Sequence, residues 1–261
     1  MAGIRALLWD VDGTLAETER DGHRVAFNLA FAARGLPWRW DEARYGALLS
    51  VTGGRERLIH DMSRRDDAPR SAGEREALAR ELHAAKNAIY AELLRERGIP
   101  LREGVLELMR ECRERGVAMG IATTTSRANV DALLGAHFGG RWTDWFAAVV
   151  CGEDVARKKP DPEAYRRALR ALGVEPGRAV AVEDSPAGVA AARAAGVPVI
   201  VTRSVYFAQS ALEGAAAVGP GLGGLRGWQP SPAARSAAGD ARVGLDDIAQ
   251  WIGADTVPAP P

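Results

Sequence analysis

The sequence predicts an α/β protein: an open parallel sheet with helices on both faces, carrying a small all-helical insert after its first strand. Three observations predict it. From residue 97 onward, helical segments alternate with short apolar runs, and parallel strands need such crossovers. Residues 18 to 95 instead keep helical periodicity throughout. The chain has 261 residues of which 47% are apolar, enough to pack one large domain or a core domain carrying a smaller one.

The opening stretch, ALLWDVDGTLAETE at residues 6 to 19, runs four apolar residues into Asp10 and Asp12. Such a run reads as a strand buried on both faces. Buried strands do not end in paired like charges unless something neutralises them. DGHRVAFNLAFAARG, WDEARYGALLSV, GRERLIHDMSRR and GEREALARELHAAKNAIYAELLRERG follow as helices. Their separators LPW, VTG and DDAPRSAG are turn-rich. Beyond them VLELMRECRERG, RANVDALLGAHF, PEAYRRALRALG and AGVAAARAAG read as helices, and VAMGIAT, FAAVVCGED, AVAVEDS and PVIVTRS as strands. AAAVG is an expected edge strand and LDDIAQWIG a last helix. The Gly/Pro-rich stretch at 220–242 is expected as a flexible loop, and TVPAPP as a frayed tail. The division is therefore a discontinuous core, residues 1–17 and 96–261, around a helical unit at 18–95.

Charge excludes some partners. Lys plus Arg and Asp plus Glu are both 34, so no net field draws the chain to nucleic acid or to a membrane surface. The first strand starts within about four residues of Met1, which leaves no room for a signal peptide and gives a cytoplasmic expectation. Cys112 and Cys151 lack metal-ligand spacing and read as buried thiols. A monomer is expected. Only Lys86, Lys158 and Lys159 are lysine against 31 arginines, which suggests sites that want a compact ammonium. Trp38, Trp40, Trp142 and Trp145 read as packing residues, and His60 and His137 have no partner that spacing identifies.

Ligands of open parallel sheets bind beyond the carboxyl ends of the strands. There the sequence delivers Asp10 and Asp12, Thr123 and Thr124, Lys158 and Lys159, and Glu183 and Asp184. Carboxylates, hydroxyls and an ammonium at one rim suit a hard cation and an anionic oxygen ligand, and Asp10, Asp184 and a backbone carbonyl near Asp12 would serve Mg²⁺. Asp10 is then the nucleophile at phosphorus, and Asp12, beyond a turn allowed by Gly13, the general acid and base. Thr123 and a lysine would hold the phosphoryl oxygens.

These segments and their order resemble the haloacid dehalogenase superfamily over residues 4 to 205. DVDGTLAETE resembles its first motif, GIATTTS its second, KKPDPEAY its third and AVEDSPAG its fourth. The resemblance implies a Rossmann-like core with an inserted helical cap, and a catalytic set of Asp10, Asp12, Thr123 and Lys159. It implies Mg²⁺ held by Asp10, Asp12, Asp184 and Glu183, with Thr124 and Lys158 as one-residue-shift alternatives. TGGRERL, with glycines freeing N–H groups at a helix start before Arg55, and HAAKNAIY, with Lys86, resemble substrate-reading parts of the β-phosphoglucomutase and CbbY-type branch. DGHRVAFN and LPWRWDEARY are similar to CbbY-type sugar bisphosphate phosphatases, whose substrate is xylulose 1,5-bisphosphate. Substrate contacts are expected from Glu19, His23, Gly53, Gly54, Arg55, Glu56, Lys86, Thr124, Thr125 and Ser126. The implied function is a Mg²⁺-dependent phosphatase of a small sugar phosphate; a phosphosugar mutase and a non-catalytic sugar-phosphate-binding protein stand as alternatives.

Overall fold

A computed structural model describes residues 3–231 and 242–254. Its centre is a six-stranded, wholly parallel sheet of β1 (Ala6–Trp9), β2 (Ala118–Ala122), β3 (Ala148–Val150), β4 (Ala179–Glu183), β5 (Val199–Thr202) and β6 (Ala217–Gly219). The strands lie in the order β3-β2-β1-β4-β5-β6. β1 is flanked by β2 and β4, and the order reverses around it. That reversal opens the crevice in which such sheets bind ligands.

Successive side chains of a strand point to opposite faces, and the two cores follow that period of two. Leu7, Trp9, Met119, Ile121, Val180 and Val182 pack on one face, with α5 (Val105–Glu114), α6 (Arg127–Phe138) and α9 (Leu245–Ile252). Ala6, Leu8, Ala179, Ala181, Val199 and Val201 pack on the other, under α7 (Glu163–Leu172) and α8 (Pro186–Ala194).

Between β1 and β2 the chain forms a π-helical turn, Glu19–His23, and the helices α1 (Arg24–Ala33), α2 (Glu42–Leu48), α3 (Gly54–Met62) and α4 (Ala72–Arg97). α4 starts on a capping box, Ser71 with Glu74, which satisfies end donors reciprocally. This helical insert has an aromatic core of its own, with Phe27, Phe31, Trp38, Trp40 and Tyr45 buried around Leu58 and Leu82. The Trp40 indole donates to buried Asp61 at 2.9 Å. Trp142 is likewise buried, so Trp38, Trp40 and Trp142 are packing residues.

The stretch expected as a flexible loop at 220–242 differs from that reading where it is described. Leu222, Leu225 and Trp228 are buried. Gln229 pairs with Val218 as an antiparallel bridge on the edge strand β6. Trp228 stacks on Trp251 of α9 with centroids 4.4 Å apart, and its indole donates to the Gly221 carbonyl. The reason is apolar content: three large side chains among the glycines bury enough surface to fix the backbone. Residues 232–241, and the tail expected to fray, lie outside the described residues. No helix among the described residues is long and apolar enough to cross a membrane.

Candidate active site

Register brings the acids together. Trp9 pairs with Ile121 on one side and Val182 on the other, so the next residues leave three strands at one level. The Asp10 amide still bonds the Val182 carbonyl at 3.0 Å, and the Thr123 amide the Val150 carbonyl at 3.0 Å. The chain then turns sharply at Gly13, whose φ is +83. A Cβ there would lie 2.1 Å from Asp184 Oδ2, so glycine is required by conformation and by space.

Oxygen atoms of Asp10, Glu183 and Asp184 all lie within 4.8 Å of one another, and all three residues are buried. The Lys159 ammonium bridges Asp10 Oδ1 and Glu183 Oε1 at 2.6 Å each. Burial works against that charge, but Asp10 and Glu183 outweigh it and hold the lysine above its usual range. Tyr165 donates its hydroxyl to Glu183, and Ser204 donates to Asp184 at 2.6 Å. One ammonium does not balance three carboxylates. Burial, opposed by Lys159 and aided by Glu183, pushes Asp10 up to about 7. Burial, then Asp10 and Glu183, drive Asp184 well above the carboxylate range. An all-oxygen, buried and under-compensated donor set of this kind fits a hard divalent cation.

The Asp12 side chain faces the other way. Its Oδ1 accepts from Thr18 Oγ1 at 2.6 Å and lies 2.8 Å from His23 Nε2. The carboxylate is therefore turned to the insert and stands outside the group that can hold an ion. Burial alone would raise its pKa; His23 and Thr18 outweigh it and hold the group well below the usual range. The side chain is thus held by His23 and Thr18, which leaves the expected ligand at this position a backbone carbonyl. Glu183 stays in the group, with its Oε1 already engaged by Lys159 and Tyr165.

Above this centre lies a cavity of about 820 Å³ between insert and core. Every expected substrate contact lines it: Glu19, His23, Gly53, Gly54, Arg55, Glu56, Lys86, Thr124, Thr125 and Ser126. A smaller cavity of about 400 Å³ adjoins, reaching Asp10, Thr123 and Asp184 and sharing Asp12, Thr124 and Lys159 with the first. Lys86 is buried, its ammonium 5.3 Å from the Phe27 ring and 5.1 Å from the Tyr90 ring. Of the two lysine alternatives, Lys159 reaches Asp10, whereas Lys158 binds Glu56.

Several residues at the site were not legible as such. Arg57 is buried where Arg55 is exposed. Its guanidinium donates to the Tyr45 hydroxyl at 2.9 Å, lies 3.7 Å from Glu19, and borders both cavities. The Tyr45 hydroxyl in turn donates to Glu19. A signal was present: residues 57, 58, 61 and 62 form the buried stripe of α3, and Arg57 falls on it. Ser204 and His83 carried no such signal, since each meets the site through tertiary packing.

Comparison with known proteins agrees with this geometry. A family profile described as haloacid dehalogenase-like hydrolase matches residues 4–196. Protein CbbY of Cupriavidus necator is 46% identical over 220 residues, covering 84% of this chain and 86% of that protein. The structure of a mutant CbbY from Rhodobacter sphaeroides in complex with xylulose-(1,5)bisphosphate superposes with a TM-score of 0.78 at 42% identity, over 86% of this chain and 98% of that one. A second CbbY structure from that organism, in complex with phosphate, gives 0.75 at 43% identity, over 81% and 92% of the two chains.

Proposed function

Since the chain belongs to the haloacid dehalogenase-like hydrolases, in the CbbY family, we propose that it is a Mg²⁺-dependent phosphatase that hydrolyses a ketose bisphosphate such as xylulose 1,5-bisphosphate through an aspartyl phosphate on Asp10. The observation that carries the reading is the convergence of Asp10, Asp184 and Lys159 at the smaller cavity, with Glu183 buried behind them, next to a larger cavity lined by Arg55, Arg57 and Lys86. A substrate with two phosphates needs cations at both ends of its site. The CbbY of Rhodobacter sphaeroides that binds xylulose-(1,5)bisphosphate supports the same substrate class.

Asp10 and Asp184 would hold the ion with Glu183 behind them; when bound, it neutralises the carboxylates and draws charge from the phosphoryl oxygens. Asp10 attacks phosphorus, forming an O–P bond as the P–O bond to the sugar breaks. Asp12 passes a proton to the departing sugar oxygen. Its Oδ1 lies 2.8 Å from His23 Nε2, near enough for a proton to pass between the two groups. Water then gives its proton to Asp12 and attacks phosphorus, and the bond to Asp10 breaks to release inorganic phosphate. Thr123 and Lys159 hold phosphoryl oxygens while charge redistributes. Residues 18–95 act as the cap that reads the sugar and excludes bulk water.

The test is phosphate release from xylulose 1,5-bisphosphate with and without Mg²⁺, in wild type and Asp10→Asn. Wild type should turn over only with the ion, and the variant should lose about 10³-fold or more in kcat. Isomerised product from a hexose 1-phosphate, with no phosphate released, would replace the phosphatase reading by a mutase one.

A further inference from the structure

Two successive residues of the core loop that precedes α7 are held by one short segment of the insert. Thr52 Oγ1 donates to the Lys159 carbonyl at 2.6 Å. Lys158 Nζ donates to both Glu56 oxygens, at 2.8 and 2.7 Å. The partners stand 107 and 102 residues apart, so no local chain geometry forces the contacts. Gly53 lies between them at φ +93, and a Cβ there would sit 2.2 Å from Glu56 Oε2 and 2.6 Å from Lys158 Nζ. Glycine suits this positive φ, and a larger residue would crowd the ion pair. The adjoining residue sends its ammonium to Asp10 and Glu183. One loop is therefore pinned to the insert on one side and delivers the lysine to the reacting carboxylate on the other.

We propose that Thr52, Gly53, Glu56 and Lys158 form a latch between insert and core that positions Lys159, so that its ammonium is set against Asp10 when the insert is shut. They are positioning residues, and the proposal rests on the assignment of Lys159 to the reacting centre. The rival is a direct contact from Lys158 to a substrate anion, since Lys158 also lines the cavity. Glu56 separates the two. In a latch it supports turnover; as a competitor for Lys158 it hinders binding.

The experiment compares wild type, Glu56→Gln, Lys158→Met, the double variant and Thr52→Val as full chains at saturating Mg²⁺. Phosphate release from xylulose 1,5-bisphosphate gives kcat and KM, and amide hydrogen exchange over residues 152–162 is read without substrate. A partly exposed ion pair predicts a drop in kcat of about fivefold for each single variant of the pair, no further drop in the double variant, and little change in KM. Glu56→Gln, although it lies on the insert, should speed exchange in the 152–162 loop severalfold. Wild-type kcat and wild-type loop exchange in Glu56→Gln would overturn the latch, as would a lowered KM in Glu56→Gln beside a raised KM in Lys158→Met. Because exchange is read without substrate, a wild type inactive on this bisphosphate sinks the proposed function and leaves the latch to be decided by exchange.

Discussion

Single side chains here are tuned by what surrounds them. Lys86 is enclosed by α1, α4 and two aromatic rings, and burial pulls its pKa from 10.5 down to about 8, against the attraction of Asp12 and Glu19. Below about 8 it is an ammonium and can grip a substrate anion; above it the charge is lost. The kcat/KM profile, which reports free-enzyme groups, should therefore fall on an alkaline limb near 8. Lys86→Met should flatten that limb and lower kcat/KM at neutral pH by about 10- to 100-fold. The same shift makes the unfolded chain bind more protons between about 8 and 10.5, so this lysine lets stability rise with pH in that window. Gly13→Ala is the sharpest steric test. Its Cβ would fall onto Asp184 Oδ2 at a φ that L residues avoid, so circular dichroism should show a lowered melting temperature and titration a loss of Mg²⁺ affinity.

At the scale of elements, legibility tracks how local the cause is. β1 and β4 could be read because each is an apolar run followed at once by its own acids, Asp10 and Asp184. α4 could be read from its period. The π-helical turn at Glu19–His23 could not, since only the fit of His23 against Asp12 and Tyr90 shows why the helix widens there. Arg55 and Arg57 both border the larger cavity, but that Arg57 also reaches Glu19 and the smaller cavity depends on how α3 docks. The segment after β6 was the plainest departure: its glycines and prolines argue for looseness, whereas its Trp228 stacks on Trp251 of the last helix. Trp228→Ala should cost about 3–5 kcal/mol, read as a shift in urea midpoint, with kcat unchanged in the variant that remains folded.

For the whole molecule, helices and sheet enclose a knot of negative charge, and that charge would link folding to a bound ion. Asp10 titrates near 7 in the ion-free protein against 3.8 in an unfolded chain, so the native state binds the extra proton between those values. Its contribution to stability is present below about 4 and is lost as pH rises through about 7. A bound ion would take the proton's place. Mg²⁺ at a hundred times its Kd should stabilise the fold by about 2.7 kcal/mol, and the gain in melting temperature should shrink as pH falls below 7. Asp184→Asn should abolish that gain without unfolding the protein, because Ser204 can hydrogen-bond the amide that replaces the acid.

The central claim, that Asp10 is itself phosphorylated, is open to one direct measurement. Wild type is mixed with xylulose 1,5-bisphosphate and Mg²⁺, quenched in acid within milliseconds, and the peptide bearing Asp10 is weighed by mass spectrometry. The account predicts a transient gain of one phosphoryl group on that peptide, absent from Asp10→Asn. Phosphate released from the substrate in the same interval, while that peptide never gains the mass, would contradict it.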